Sequence, residues 1–124
     1  MQRKLLVVDE VEAVIAIVAE AKSRGYCAIG TTDPMEVPRR VRDQRPDVVL
    51  IELRLGKHDG RDVLARLKSD PETDASAVIV LSTLDDPHTI ELCRNYGASD
   101  FVLRPFALED LFRRIELVLR GKGR

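Results

Sequence analysis

The chain has 124 residues, 44% of them hydrophobic and 33% charged, with a formal net charge of −1. That is the length of one domain with a core of its own, and the charge balance supplies no basic footprint for nucleic acid. The longest apolar stretch, Val11 to Ala21, carries Glu12 and Glu20 and is too short to cross a bilayer.

Short apolar runs alternate with longer helical patterns. Lys4 to Val8 reads as a first strand buried on both faces, because its apolar residues are continuous rather than alternating. Val11 to Arg24 follows as a helix stopped by Gly25, and Tyr26 to Thr31 as a second strand. Asp33-Pro34-Met35-Glu36 is a helix start, with Asp33 as N-cap, Pro34 in the first turn and Glu36 reaching back. Pro38 falls inside that helix, which should therefore be distorted or begin late. Asp47 to Ile51 is the third strand, rich enough in Val and Ile for a sheet centre. Gly60 to Ser69 is a helix with Val63, Leu64 and Leu67 on one face and Pro71 beyond its end. Ala77 to Leu81 is a fourth strand. Asp86-Pro87 opens a helix that runs to about Tyr96 and stops at Gly97. Asp100 to Leu103 is a short fifth strand, and Leu108, Leu111, Phe112, Ile115, Val118 and Leu119 mark a last helix.

Strand–helix units in this order predict an α/β fold: a parallel sheet with right-handed crossovers and helices on both faces. The domain is expected to span residues 3–120, with 121–124 a tail or the start of a linker. Met1 to Lys4 leads straight into a strand without a signal peptide's cleavage site, so a cytoplasmic location without membrane contact is expected. Cys27 and Cys93 sit at no metal-ligand spacing and are expected as free thiols. His58 and His88 have no partner at ligand spacing and receive no role.

In open α/β sheets, chemistry collects beyond the carboxyl ends of the strands. That rule brings together Asp9 and Glu10 after the first strand, Glu52 closing the third, Ser82 and Thr83 after the fourth, and Arg104-Pro105 after the fifth. Each alone has a bland explanation in a helix-start acid, a loop hydroxyl or a solvated charge. Together, at corresponding ends of successive strands, they mark a site.

These residues carry a resemblance. Leu6-Val7-Val8-Asp9-Glu10, Pro46 to Glu52, Asp59-Gly60, Val80-Leu81-Ser82-Thr83 and Gly97 to Phe106 resemble the receiver domain of two-component response regulators, over nearly the whole chain. The resemblance implies a flavodoxin-like (βα)5 three-layer sandwich with strand order 2-1-3-4-5. It implies that Asp9 and Glu10 hold Mg²⁺ together with Glu52 and the backbone carbonyl of Arg54. It places Glu52 at the phosphoacceptor position, Ser82 at the switching hydroxyl, Phe101 at the aromatic that follows it, and Arg104 at the phosphoryl-clamping cation before a cis proline.

Two positions depart from the family pattern. Glutamate replaces the acceptor aspartate at 52, and arginine replaces lysine at 104. Phosphoryl transfer is mostly positioning, so an acceptor oxygen displaced by about one bond length, ~1 Å, loses on the order of a hundredfold in rate. Arginine presents a planar fork suited to a carboxylate, whereas lysine is a point charge. A Glu52–Arg104 pair filling the phosphoryl space is therefore expected, giving a degenerate, phosphorylation-independent module rather than an enzyme. The alternative is a phosphorylatable receiver with non-standard acceptor chemistry and Mg²⁺-dependent autophosphorylation. If Glu52 engages Arg104, two side-chain ligands remain and Mg²⁺ affinity falls, so a metal-loaded and a metal-free site are both compatible with the sequence.

The resemblance also implies partners: a histidine kinase or another signalling protein, and a homodimer through the fourth helix, fifth strand and fifth helix. Arg94, Asp100 and Arg114 fall at that face, the last two at positions that form cross-subunit ion pairs in transcription-factor-type members. Nothing remains for DNA binding by this chain alone. A flavodoxin-like enzyme or cofactor binder is disfavoured, because Val8 to Glu12 has no glycine and is negative where a phosphate-cradling loop would lie.

Overall fold

Leu5, Leu6, Val7 and Val8 are all fully buried, as an unbroken apolar run requires when both faces of its strand are covered. In the computed structural model, which describes residues 2–122, this first strand is β1 (Lys4–Val8). It is followed by α1 (Val11–Ser23), β2 (Cys27–Thr31), a 3-10 turn (Pro34–Glu36) and α2 (Val37–Gln44). Next come β3 (Val48–Glu52), the short strands β4 (Arg54–Leu55) and β5 (His58–Asp59), and α3 (Gly60–Ser69). The chain then forms β6 (Ala77–Ser82), α4 (Pro87–Asn95), β7 (Asp100–Leu103) and α5 (Leu108–Lys122).

The main sheet has five parallel strands in the order β2-β1-β3-β6-β7. Once β4 and β5 are set aside as a separate antiparallel pair, this is the expected 2-1-3-4-5 arrangement. Alternation along the strands sorts the core into two layers. Leu5, Val7, Leu50, Ile79, Leu81 and Val102 face Ile17 and Ala21 of α1 and Leu111, Phe112 and Ile115 of α5. Leu6, Val8, Val49, Ile51, Val78, Val80 and Phe101 face Val41 of α2, Leu64 and Leu67 of α3 and Cys93 of α4. Both cysteines are free thiols among the described residues, and burial pushes the Cys93 thiol up from its ordinary pKa. No described helix is long and apolar enough to cross a membrane.

The structure differs from the sequence expectations in a few places. The Asp33 carboxylate caps as expected, accepting from the Met35 amide at 2.9 Å. Glu36 does not reach back to it. The Thr31 hydroxyl accepts the Asp33 amide at 3.1 Å, and Glu36 turns instead to Thr31 and Arg40. Pro38 lies in the first turn of α2, where its missing N–H is no loss, so the helix starts late after a 3-10 turn. The β4–β5 hairpin has no counterpart among the expected elements. Its strands are two residues each, too short for a periodic signal. Helix α5 continues through Gly121 and Lys122 rather than ending before a tail at 121, since Gly121 takes no left-handed conformation that would stop it. Residues 123 and 124 of the expected tail lie outside the described residues.

Candidate functional site

The parallel register aligns the carboxyl ends of β1, β3 and β6. Val8 pairs with Ile51, and Glu52 with Leu81, so Asp9 and Glu52 emerge from neighbouring strands at the same rim. Ser82 ends β6 and pairs with Leu103 of β7, which places Arg104 one residue beyond. The Arg104 amide donates to the Ser82 carbonyl at 2.8 Å, fixing the start of its side chain, and the Arg104–Pro105 peptide is cis. Neighbouring strands lie about 4.8 Å apart, so from β7 the side chain must cross the end of β6 to reach β3. Ser82 is small enough to let it pass.

Arg104 closes on both acids. Its Nε donates to Glu52 Oε2 at 2.8 Å, and a terminal guanidinium nitrogen donates to Asp9 Oδ2. The other oxygens of the two carboxylates accept backbone amides: Glu52 Oε1 from Arg54 at 3.2 Å, and Asp9 Oδ1 from Glu10 at 2.7 Å. The guanidinium carbon lies 5.2 Å from the centre of the Phe106 ring, so an aromatic face supports the cation from β7's exit. The cluster is buried, with Asp9 1% and Glu52 8% exposed. Burial raises the pKa of each acid, and the Arg104 charge and the backbone donors only partly oppose it. One cation is shared between two carboxylates, so desolvation wins at both.

The two buried acids expected to hold a divalent cation, Asp9 and Glu52, are engaged by donors of the chain itself. Every oxygen of Asp9 and Glu52 already accepts from a donor, and Glu10 is exposed at the N-cap of α1. Among the described residues, no group of three His, Cys, Asp or Glu side chains converges as a cage.

Sequence reasoning brought Asp9, Glu52, Ser82 and Arg104 to one rim, and the structure places them there. It missed that Asp9 is a second partner of Arg104. The five donors of a guanidinium, in a fork wide enough for two acids, were the available signal. It also missed Phe106, two residues along from Arg104. Ser82 is buried, and its hydroxyl accepts the Leu84 amide at 3.0 Å, which ties it to the loop before α4. Phe101 is packed in the layer that holds Cys93 and Leu53. At the expected interface, Arg114 grips Asp100 of the same chain through two hydrogen bonds of 2.7 Å, while Arg94 is exposed without an ion pair among the described residues. Within the chain, Asp100 and Arg114 pair where α5 packs against β7.

Comparison with known proteins agrees with this architecture. The response regulator receiver domain family matches residues 5–116. The chain is 26% identical over 121 residues to the alkaline phosphatase synthesis transcriptional regulatory protein PhoP of Bacillus subtilis (strain 168), covering 97% of this chain and 50% of that protein. It is 30% identical over 124 residues to the response regulator PleD of Caulobacter vibrioides (strain NA1000 / CB15N), covering 98% of this chain and 27% of the relative. The chain therefore spans half or less of the length of these curated relatives. A solved CheY-like receiver domain protein of Methanospirillum hungatei JF-1 superposes with a TM-score of 0.90 at 16% identity, over 99% of this chain and 98% of that one. A family match over residues 5–116, nearly the whole chain, establishes that the chain belongs to the response regulator receiver domain family of two-component signalling.

Proposed function

We propose that this receiver domain signals through protein contact without taking a phosphoryl group on Glu52. The observation that carries the reading is the 2.8 Å hydrogen bond from Arg104 to Glu52, completed by the contact of the same guanidinium with Asp9. An acceptor must present a free oxygen in line with the donor phosphorus, and both Glu52 oxygens are already bonded. The longer acid carries the carboxylate into the volume where a phosphoryl group would sit, and the forked cation holds it there.

The domain then rests in one closed conformation and exchanges information by binding a histidine kinase or another signalling protein. The face of α4, β7 and α5 offers exposed Tyr96 and Leu103 beside the Asp100–Arg114 pair. A homodimer over this face would use those side chains and the free charge of Arg94, with Asp100 and Arg114 shared or released. In this reading the domain turns over no substrate and needs no Mg²⁺.

Beryllofluoride with Mg²⁺, a phosphoryl stand-in, tests the reading by fluorine NMR. The natural chain is expected to bind none. Glu52→Asp combined with Arg104→Lys, which shortens the acid and unforks the cation, is expected to bind it. Binding by the natural chain contradicts the proposal.

A further inference from the structure

At the amino end of the sheet, on the rim opposite the strand-end cluster, the chain forms a cleft of about 360 Å³. Asp47, just before β3, and Ser76, just before β6, both line it, so the length of β3 separates it from Glu52. Five residues of strand make that about 16 Å. Its walls are the end of α2 and the loop from Pro71 to Ser76 that leads into β6.

Arg45 lines this cleft in a conformation that its residue type disfavours. It ends α2 at φ +48° and ψ +59°, in the left-handed region, and is the one non-glycine with positive φ among the described residues. Glycine would hold that C-cap with less strain. Backbone held this way clusters at ligand clamps and other functional positions. The Arg45 side chain is exposed and meets no carboxylate within ion-pair distance among the described residues. From the loop, Glu72 brings a largely exposed carboxylate whose nearest cation, Arg42, lies 4.0 Å away. The apolar lining is Val41, Pro46, Pro71 and Ala75.

The cleft is framed before any ligand arrives. Ser76 Oγ donates to the Pro46 carbonyl at 2.6 Å, and the Thr73 hydroxyl to the Leu67 carbonyl at 2.7 Å. Lys68 Nζ donates to the Asp74 and Ser76 carbonyls at 3.0 and 2.7 Å, and the Asp70 carboxylate accepts the Glu72 amide at 2.9 Å. Asp47 is turned toward the first strand, where it accepts the Lys4 amide at 2.8 Å and lies 3.6 Å from Arg3. Arg45 and Glu72 are thus the two charges left for a ligand, on a backbone already ordered to receive one.

We propose that this cleft binds a free α-amino acid with an apolar side chain. The ligand's carboxylate pairs with the Arg45 fork, its ammonium with Glu72, and its side chain covers Val41 and the two prolines. A simple anion would gain Arg45 but meet repulsion from Glu72, and a simple cation the reverse. A volume of about 360 Å³ lies at the small end of ligand sites and suits a molecule of leucine's size. The inference is independent of the Glu52 reading, because Asp9, Glu52 and Arg104 do not line the cleft.

The test is a titration of the ¹⁵N-labelled chain with leucine, leucinamide and N-acetylleucine, read by amide chemical shifts. Leucine is expected to give saturable shifts confined to residues 41–47 and 71–76. Leucinamide lacks the carboxylate and N-acetylleucine the ammonium, and each should bind at least about tenfold more weakly. Arg45→Gly removes the cation and suits the left-handed backbone. It should therefore keep or raise the melting temperature while leucine binding falls at least about tenfold, a combination that a purely structural Arg45 would not produce. Arg113→Ala should leave binding intact. The proposal is overturned if leucine gives no saturable shifts, if they centre on another part of the chain, if either derivative binds as tightly as leucine, or if Arg45→Gly binds as well as the parent.

Discussion

Arg104 and Glu52 come from sequence positions 52 residues apart and meet 2.8 Å apart at the rim of the sheet, with Asp9 held by the same guanidinium. The cation is the one side chain that reconciles two buried acids on neighbouring strands. Removing it should hurt more than removing either acid. Arg104→Ala is expected to cost about 2–4 kcal/mol, because it leaves two buried carboxylates facing each other without a counter-charge. Arg104→Lys should cost about 1–2 kcal/mol, since a point charge cannot serve both acids with fixed donors. Urea unfolding of the two variants beside the parent measures both.

The raised pKa of Glu52 fixes the sign of a pH effect. Between its ordinary value of 4.5 and the higher native value, the folded state keeps a proton that the unfolded chain has lost. Stability from this group therefore falls as pH rises through that window and is flat above it. Glu52→Gln preserves the side chain's length but has nothing to titrate. The stability of the parent relative to Glu52→Gln should thus decline from acid toward neutral pH, as measured by denaturation at a series of pH values.

Asp59 runs the other way. Hydrogen bonds from Arg61 hold its carboxyl below the ordinary value of 3.8, so its contribution is present above that value and is lost as pH falls through the native one. Its side chain is more than a third exposed, and solvent screening limits the effect. Asp59→Ala should cost about 0.5–1 kcal/mol near neutral pH through the lost cap of α3. The difference from the parent should vanish in strong acid.

Gly60 is required by proximity. A Cβ there would lie 2.9 Å from Leu53 Cα and 3.0 Å from the Glu52 carbonyl oxygen, both backbone atoms that cannot swing aside. Gly60→Ala should cost about 1–3 kcal/mol and push the hairpin away from the end of β3. Thermal unfolding measures the loss, and the Arg54 amide shift reports the movement.

Much of this molecule was legible in its residues. The continuous apolar run of Leu5 to Val8 pointed to a strand covered on both faces, and Asp86-Pro87 to the start of a helix. Strand ends then brought Asp9, Glu52, Ser82 and Arg104 together without any coordinate, because a parallel sheet aligns its carboxyl ends. The rest was hidden for physical reasons. The β4–β5 hairpin is too short to show a period, and it exists because Leu55 is buried and Gly56 turns. The contact of Arg104 with Asp9 depends on how far a side chain reaches across Ser82. The Asp100–Arg114 pair closes within the chain because of how α5 lies over β7, and neither residue's identity reports that.

Phosphorylation itself is the most direct test of a Glu52 carboxylate held by Arg104. The purified chain is incubated with acetyl phosphate and Mg²⁺ and its intact mass recorded. The predicted spectrum shows the unmodified mass alone; a stable gain of one phosphoryl group, mapped to Glu52, would contradict the account.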